Sequence, residues 1–141
     1  MLPEVVVYSD YICPFCFIGK ALVDRLEKRF GIEAEWKGFE IHPEIPASGC
    51  DFKSLGFSEG RAAAMLSRIR ELADEVGLRF EPPALMSNSR LALEIAEFAK
   101  EKERFKEYHQ AIFEAYWQQG KDIGSRGAAI VYCGQGGSRP G

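Results

Sequence analysis

Residues 8–20 read YSDYICPFCFIGK, and the rest of the predicted fold is built around them. A β-branched apolar run at residues 5–7 leads into it, and two cysteines, Cys13 and Cys16, stand where the pattern predicts that a strand passes into a helix. Pro14 suits the first turn of a helix, because its missing N–H would have no partner there and its φ is already helical. The stretch therefore predicts a strand, a C-x-x-C motif and a helix in immediate succession.

The spacing of the two cysteines indicates redox chemistry. Residues three apart share one face of a helix, so Cys13 and Cys16 can close a disulfide across the first turn. Cys13 lies where free backbone N–H groups and the helix dipole favour an anion. A thiol pKa lowered from about 8.5 to about 6 would raise the thiolate fraction at pH 7 from roughly 3% to roughly 90%. We expect Cys13 to be the attacking thiol and Cys16 the resolving one.

A lone C-x-x-C leaves other interpretations open. It could be half of a zinc site, and the residues that could complete such a site are scattered singly: His42, Cys50, His109 and Cys133. It could also be a pair of inert thiols. The strand before the motif and the helix after it favour the redox interpretation.

Composition narrows the class of protein. The chain has 141 residues, of which 46% are hydrophobic, enough for one domain with an inserted subdomain. The net charge of −3 and the interspersed positive residues argue against a nucleic-acid partner. No apolar stretch is long enough to span a membrane and no signal peptide is evident, so we expect a cytoplasmic protein. In that compartment, four cysteines suggest catalytic or redox-sensing thiols.

The first third of the chain predicts a βαβ unit. The run Glu4 to Tyr8 is typical of a strand buried on both faces, and residues 33–41 alternate as a second strand. Between them we expect a helix from about Pro14 to Phe30, stopped by Gly31. Its apolar stripe is Phe17, Leu22, Leu26 and Phe30. The two strands should be parallel.

The middle of the chain predicts helices. One begins after Ser58 and ends before Gly77, and residues 81–85 interrupt the pattern before a capping cluster at 87–89. Two further apolar faces follow: Leu91, Ile95, Phe98 and Ala99, then Phe105, Tyr108, Ile112, Ala115 and Tyr116. We place His109 on a helix flank, His42 in a loop, and expect Cys50 to be an ordinary thiol. Near the end, Ala128 to Cys133 could form a short strand, and Gly134 to Gly141 is typical of disorder.

Five segments together resemble a known family. They are residues 7–20, residues 36–43, Asn88-Ser89 with Ala92 and Ala96, residues 113–117, and Asp122-Ile123. Across about residues 4–124 the chain resembles the DsbA-family, thioredoxin-like dithiol oxidoreductases of the FrnE-like branch. The resemblance implies an α/β thioredoxin-like fold with an inserted helical subdomain. The expected divisions are an N-terminal βαβ half at 1–52, a helical insertion at 53–124 and an atypical Gly-rich tail at 125–141.

The resemblance also implies an enzyme and a site. Cys13 and Cys16 would carry thiol–disulfide exchange, with Pro14, Phe15, Asp10 and Asn88 around them and no metal. No cofactor beyond the Cys13–Cys16 disulfide is required. The partner would be a thiol- or disulfide-containing protein or small molecule, with no nucleic acid and no membrane.

Two relatives of this branch offer a different function. The kappa-class glutathione transferases and the 2-hydroxychromene-2-carboxylate isomerases typically have serine at the position of Cys13 and use glutathione. Cysteine at both positions favours the dithiol branch. The remaining alternative is a non-catalytic binding fragment, either held by zinc or degenerate.

After Ser125 we expect the chain to depart from the family. Members continue through more helix to a loop with a cis-proline facing the motif, then a β-hairpin and a final helix, whereas the later proline here, Pro140, does not match. The C-terminal strands of the fold are therefore expected to be missing or replaced, as in a truncated or frame-shifted chain. Such a chain would show weak catalysis, low stability or self-association through an open sheet edge.

Overall fold

A two-stranded parallel sheet and one helix form the N-terminal unit of the protein. The computed structural model describes residues 4–124 and 126–135. Strand β1 is Val5–Ser9, helix α1 is Pro14–Phe30 and strand β2 is Ala34–Gly38. The strands pair in parallel from their first residues to their last. The predicted βαβ unit is confirmed.

Helices make up most of the remaining chain. After a 3₁₀ turn they are, in order, α2 at Glu59–Glu75, α3 at Arg90–Glu101, α4 at Phe105–Trp117 and α5 at Gly127–Gln135. Helix α4 packs against α1, α3 and α5, so it is central to the fold. An isolated antiparallel bridge between Cys50 and Met86 ties the loop after β2 to the segment before α3.

The helix ends follow local sequence signals. Cys13 is the N-cap of α1 and Pro14 its first residue, while Gly31 ends the helix with φ of 66° and donates its amide to the Glu27 carbonyl. The Ser58 hydroxyl accepts from the Arg61 amide at 3.2 Å and caps α2 as predicted.

Helix α5 corrects one prediction. Residues 128–133 were expected to form a strand, and they lie inside a helix. Ala128 is fully buried, and the Tyr132 ring lies 5.5 Å from that of Phe98 and 5.9 Å from that of Tyr108. A short apolar run does not distinguish strand from helix, and here its packing against α3 and α4 decides. Of the end predicted to be disordered, residues 136–141 lie outside the described residues.

Two predictions of burial near the N-terminus are wrong. Strand β1 was expected to be buried on both faces, yet Val6 and Tyr8 are 43% and 65% exposed. In the predicted stripe of α1, Phe17 is buried, whereas three members are about half exposed: Leu22, Leu26 and Phe30. Successive side chains of a strand point to opposite sides, and in the described residues one side of β1 is left uncovered.

The faces of α3 and α4 also differ from expectation. Helix α3 buries Ala92, Ala96 and Ala99, while Leu91 and Phe98 remain 36% and 45% exposed. On α4, His109 is 4% exposed and belongs to the core, not to a flank. The other apolar residues predicted to be buried on α4 are buried, apart from the half-buried Phe105. Within the described residues, no helix is both long and apolar enough to cross a membrane.

Candidate active site

The two cysteines lie at the junction of β1 and α1. Cys13 has an extended backbone at the N-cap, and its carbonyl accepts from the amides of Cys16 at 3.1 Å and Phe17 at 3.2 Å. Its own amide donates to the Asp10 carbonyl at 3.2 Å. All four cysteines of the chain are free thiols, and Cys13 and Cys16 are partly exposed. The first turn of α1 therefore holds the pair together at the surface.

Cys13 and Cys16 share a proton. The thiol of Cys13 donates to the sulfur of Cys16, which lowers the pKa of Cys16 to about 6 and raises that of Cys13. Burial raises the pKa of both thiols, whereas the amides of Cys16 and Phe15 act to lower that of Cys13. The sequence predicted a low pKa at Cys13 from amide donors at the helix terminus; in the structure the hydrogen bond from Cys13 lowers the pKa of Cys16.

Asp10 is a buried carboxylate beside the pair. It is 1% exposed, and its Oδ2 accepts from the Ile41 amide at 2.8 Å while its Oδ1 accepts from the Ile12 amide at 3.4 Å. Burial raises the pKa of Asp10, and the hydrogen bonds oppose the rise only in part. Its negative charge in turn raises the pKa of Cys16. Asp10 is thus both a structural anchor and an electrostatic neighbour of the motif.

The site also contains two serines that were not predicted from the sequence. The Ser9 hydroxyl and the Asp10 amide both lower the pKa of Cys16, and the Ser89 hydroxyl lowers that of Asp10. Both serines are buried. Position offered a signal for Ser9, since polar residues at the carboxyl end of a buried strand lie where α/β sites are built. Ser89 offered none beyond its place before a helix.

The other predicted site residues have separate places. Pro14 opens α1, and Phe15 is 51% exposed next to the pair. Asn88 was expected near the mouth of the site. Its Nδ2 donates to the Ile45 carbonyl at 2.5 Å and its Oδ1 accepts from the Arg90 amide at 3.0 Å, so Asn88 fixes a loop, and its neighbour Ser89 reaches Asp10.

Helix α4 supports the segment that carries the motif. The Trp117 indole Nε1 donates to the Tyr11 carbonyl at 2.8 Å, and the Tyr11 hydroxyl lies 2.9 Å from Nδ1 of His109. Phe17 stacks on the Trp117 ring, with centroids 6.4 Å apart. These contacts hold both sides of the motif against α4.

The described residues contain no cluster of three or more His, Cys, Asp and Glu side chains that could hold a metal ion. The zinc interpretation required Cys50, Cys133, His42 or His109 to join the motif. Instead, His42 pairs with Glu44 at 2.9 Å, and His109 lies inside the core. What the site offers is a coupled dithiol, a buried carboxylate and two hydroxyls.

A parallel βαβ unit with a C-x-x-C at the start of its helix, covered by further helices, defines a thioredoxin-like α/β protein. A family model for DSBA-like thioredoxin domains matches residues 4–136. The chain belongs to that family. The match ends at residue 136, eleven residues past Ser125.

Three individual proteins resemble most of this chain. An uncharacterized protein of Bacillus subtilis strain 168, YwbO, is 32% identical over 126 residues, which are 88% of this chain and 61% of that protein. A probable DsbA oxidoreductase from Streptomyces coelicolor superposes with a TM-score of 0.79 at 21% identity, over 94% of this chain and 62% of that one. A 2-hydroxychromene-2-carboxylate isomerase superposes with a TM-score of 0.72 at 17% identity, over 95% of this chain and 66% of that one. The chain therefore spans about 61% to 66% of the length of these relatives.

Proposed function

We propose that the protein is a thiol–disulfide oxidoreductase whose working groups are Cys13 and Cys16. The observation that carries the proposal is the coupled pair itself: two partly exposed thiols across the first turn of a helix, sharing one proton so that one of them is a thiolate near neutral pH. The thiolate is the reactive form in disulfide exchange. Family membership supports the same class of reaction.

In the first step, Cys13 attacks one sulfur of a substrate disulfide. The Cys13–substrate disulfide forms, the second substrate sulfur leaves as a thiolate, and the shared proton of Cys13 passes to Cys16. The hydrogen bond from Cys13 to Cys16 lines up this transfer. The proton that the two sulfurs share thus moves from Cys13 to Cys16 as Cys13 attacks.

In the second step, Cys16 must lose that proton before it can attack. Asp10 is the buried carboxylate beside it, with a raised pKa that suits a proton acceptor. Cys16 then attacks Cys13, the Cys13–Cys16 disulfide forms, and the remaining substrate thiolate departs and takes a proton. The substrate gains two electrons and the pair loses two, and the reverse sequence oxidises a substrate dithiol.

The proposed substrate is a thiol- or disulfide-containing protein or small molecule, and no other cofactor is needed for the two steps. A glutathione-dependent isomerase is the competing proposal, since one structural relative is named as a 2-hydroxychromene-2-carboxylate isomerase. Cysteine at position 13 supports exchange instead, because it provides the second thiol that closes a ring. Glutathione titration would separate the two proposals.

The test is a thiol count on native protein, before and after dithiothreitol. We expect a reversible gain of two thiols, abolished by Cys13→Ser and by Cys16→Ser. Cys50→Ser and Cys133→Ser are matched controls, since both remove a thiol outside the motif, and both should keep the gain. An unchanged count in the wild type, or a gain lost in the control variants, would contradict the proposal.

A further inference from the structure

One residue contacts the chain on both sides of the cysteine motif. The indole Nε1 of Trp117, the last residue of α4, donates at 2.8 Å to the carbonyl of Tyr11, two positions before the first cysteine. The same indole stacks on the ring of Phe17, directly after the second cysteine, with ring centroids 6.4 Å apart and ring planes inclined by 27°. Both ends of the segment 11–17 therefore rest on a single side chain.

Trp117 is itself held firmly in the core, where it is 1% exposed. The Phe80 ring stacks on the indole with centroids 5.5 Å apart, and the Trp117 carbonyl accepts from the Glu81 amide at 2.7 Å. Arg70 of α2 lies over the Phe80 ring at 5.5 Å and donates to the Phe80 carbonyl at 3.1 Å. Because its ring and its backbone are both fixed by a neighbouring segment, Trp117 is a rigid support for the residues that it contacts.

The segment between the two contacts consists of two tight turns. The Cys13 amide donates to the Asp10 carbonyl at 3.2 Å and closes the first turn, while the Cys13 carbonyl accepts from the amides of Cys16 and Phe17 and closes the second. Tyr11 lies inside the first turn and is 2% exposed, so the indole N–H supplies the hydrogen bond that a buried carbonyl requires. A shift of either end of the segment would open these turns and change the separation of the two thiols.

A disulfide closes only when its two Cβ atoms are about 3.5 to 4.5 Å apart. A mobile pair of thiols loses conformational entropy when it reaches that geometry, whereas a pair that is already held there loses less. We infer that Trp117 is a positioning residue for closure of the disulfide between Cys13 and Cys16. It acts through Tyr11 and Phe17, and it raises the effective concentration of one thiol at the other.

The inference rests on the proposed function, because it concerns the second step of exchange. In that step the Cys16 thiolate attacks the Cys13 sulfur, the Cys13–Cys16 bond forms, the bond from Cys13 to the substrate breaks, and the substrate leaves as a thiolate. Trp117 makes and breaks no bond, and the first attack, which uses one sulfur, does not depend on the distance between the thiols. Without the indole N–H we expect the effective concentration to fall about fivefold, since a buried hydrogen bond is lost at one end of the segment.

The first test uses the unmodified protein. If the contact to Trp117 favours the closed disulfide, the closed disulfide must favour that contact by the same factor. Hydrogen exchange of the Trp117 indole N–H, followed by NMR, should therefore be about fivefold slower in the oxidised protein than in the reduced one. The other tryptophan of the chain, Trp36, packs on His109 and is an internal control whose exchange should be the same in both forms. Equal exchange of Trp117 in the two forms would overturn the inference.

The second test measures the disulfide equilibrium directly. The protein is equilibrated with mixtures of reduced and oxidised glutathione, free thiols are trapped by alkylation, and peptide mass spectrometry gives the fraction of the pair that is closed. Trp117→Phe keeps a ring that can stack on Phe17 but loses the N–H, and it should lower the equilibrium constant for closure about fivefold. Trp117→Leu loses both contacts and should lower it further. Trp36→Phe is the matched control and should give the constant of the wild type.

A residue that only stabilises the fold would behave differently. Its loss would lower the free energy of unfolding of the reduced and oxidised forms equally, and the closure constant would stay unchanged. That result in Trp117→Phe would contradict the inference while leaving the proposed function intact, whereas a wild type that never closes the disulfide would refute both. If Trp117→Phe does not fold, the exchange measurement on the wild type decides the matter alone.

Discussion

The backbone amide of Ile41 donates to Oδ2 of the buried Asp10 across 2.8 Å, and so joins the loop after β2 to the segment that carries the cysteines. Asp10 also holds the Ile12 amide through its other oxygen. The carboxylate thus fixes the backbone on both sides of the site while its charge acts on Cys16. This double use makes Asp10 the most informative residue to change.

Asp10→Asn should separate the two steps of exchange. Asparagine lacks a carboxylate to accept the proton of Cys16, so we expect the first attack to continue while resolution slows by about tenfold or more. The Cys13–substrate mixed disulfide should accumulate and be detectable by mass spectrometry of acid-quenched samples. Asp51→Asn, on an exposed loop, is the control. Equal slowing of both steps in Asp10→Asn would indicate a purely structural role.

The reduced protein should become more stable as pH rises from 6 to 9. The pKa of Cys16 is about 6 in the folded chain and near 9 when unfolded, so in this range the unfolded state binds more protons. The stabilisation is complete above pH 9 and is lost as pH falls through 6. Cys13 stays protonated below pH 9 in both states, since its pKa is raised.

The free energy of unfolding should rise with pH by less than about 1.4 kcal/mol per pH unit, which is the limit for one titrating group. The rise is smaller because Cys16 is partly exposed. Urea unfolding at several pH values measures it. Cys16→Ser should flatten the curve, and the oxidised protein, which has no thiol to titrate at these positions, should lack the slope as well. A slope that persists in Cys16→Ser would show that another group carries it.

Acid should destabilise the fold through His109. Its pKa is about 3 in the folded protein and 6.5 when unfolded, so the contribution is present above pH 6.5 and is lost as pH falls toward 3. The full loss amounts to about 5 kcal/mol. His109→Gln should be less stable at pH 7 but less sensitive to acid. His42→Gln, in a partly exposed loop, should keep the acid sensitivity of the wild type. If His42→Gln became as insensitive to acid as His109→Gln, the assignment to His109 would be contradicted.

Local signals predicted the helix termini and the dithiol, whereas tertiary partners decided which faces are buried. Cys13-Pro14 and Ser58 act within one turn, so the sequence alone identifies them. The burial of Ala92 in α3, while Phe98 stays exposed, depends on close packing with α4, where the Tyr108 hydroxyl donates to the Ala92 carbonyl at 2.8 Å. Small residues permit the close approach of α3 and α4. Because alanine is only weakly hydrophobic, the pattern of hydrophobic residues did not identify these positions as buried.

Tertiary partners also decide where Ser9 and His109 lie. The fold brings these two residues, 100 positions apart, to one void, and no local pattern in the sequence predicts that proximity. The family resemblance predicted the thioredoxin-like class from residues 7–20 and their companions, and the family match confirms it. The residue pattern alone did not predict α5, since the run of six mostly apolar residues at 128–133 fits either a strand or a helix.

The N-terminal unit has an unpaired strand edge and exposed apolar side chains. Strand β1 pairs with β2 on one side, and within the described residues no strand pairs with its other side. Val6 and Tyr8 on β1 and three residues of α1 are exposed: Leu22, Leu26 and Phe30. Unpaired edges and apolar patches both favour association. We propose that two copies of this chain associate through β1 and α1.

Leu26→Lys should weaken that association. The side chain is 44% exposed, so the lysine can reach solvent in the single chain and costs little stability, but its charge would be desolvated between two copies. Sedimentation velocity over a range of concentrations should show the wild type associating and the variant shifted at least tenfold toward monomer. Ile130→Lys, at a 68% exposed position on α5, is the matched control and should associate as the wild type does. If the control dissociates and Leu26→Lys does not, the interface lies on the helical side and the β1 edge has another role.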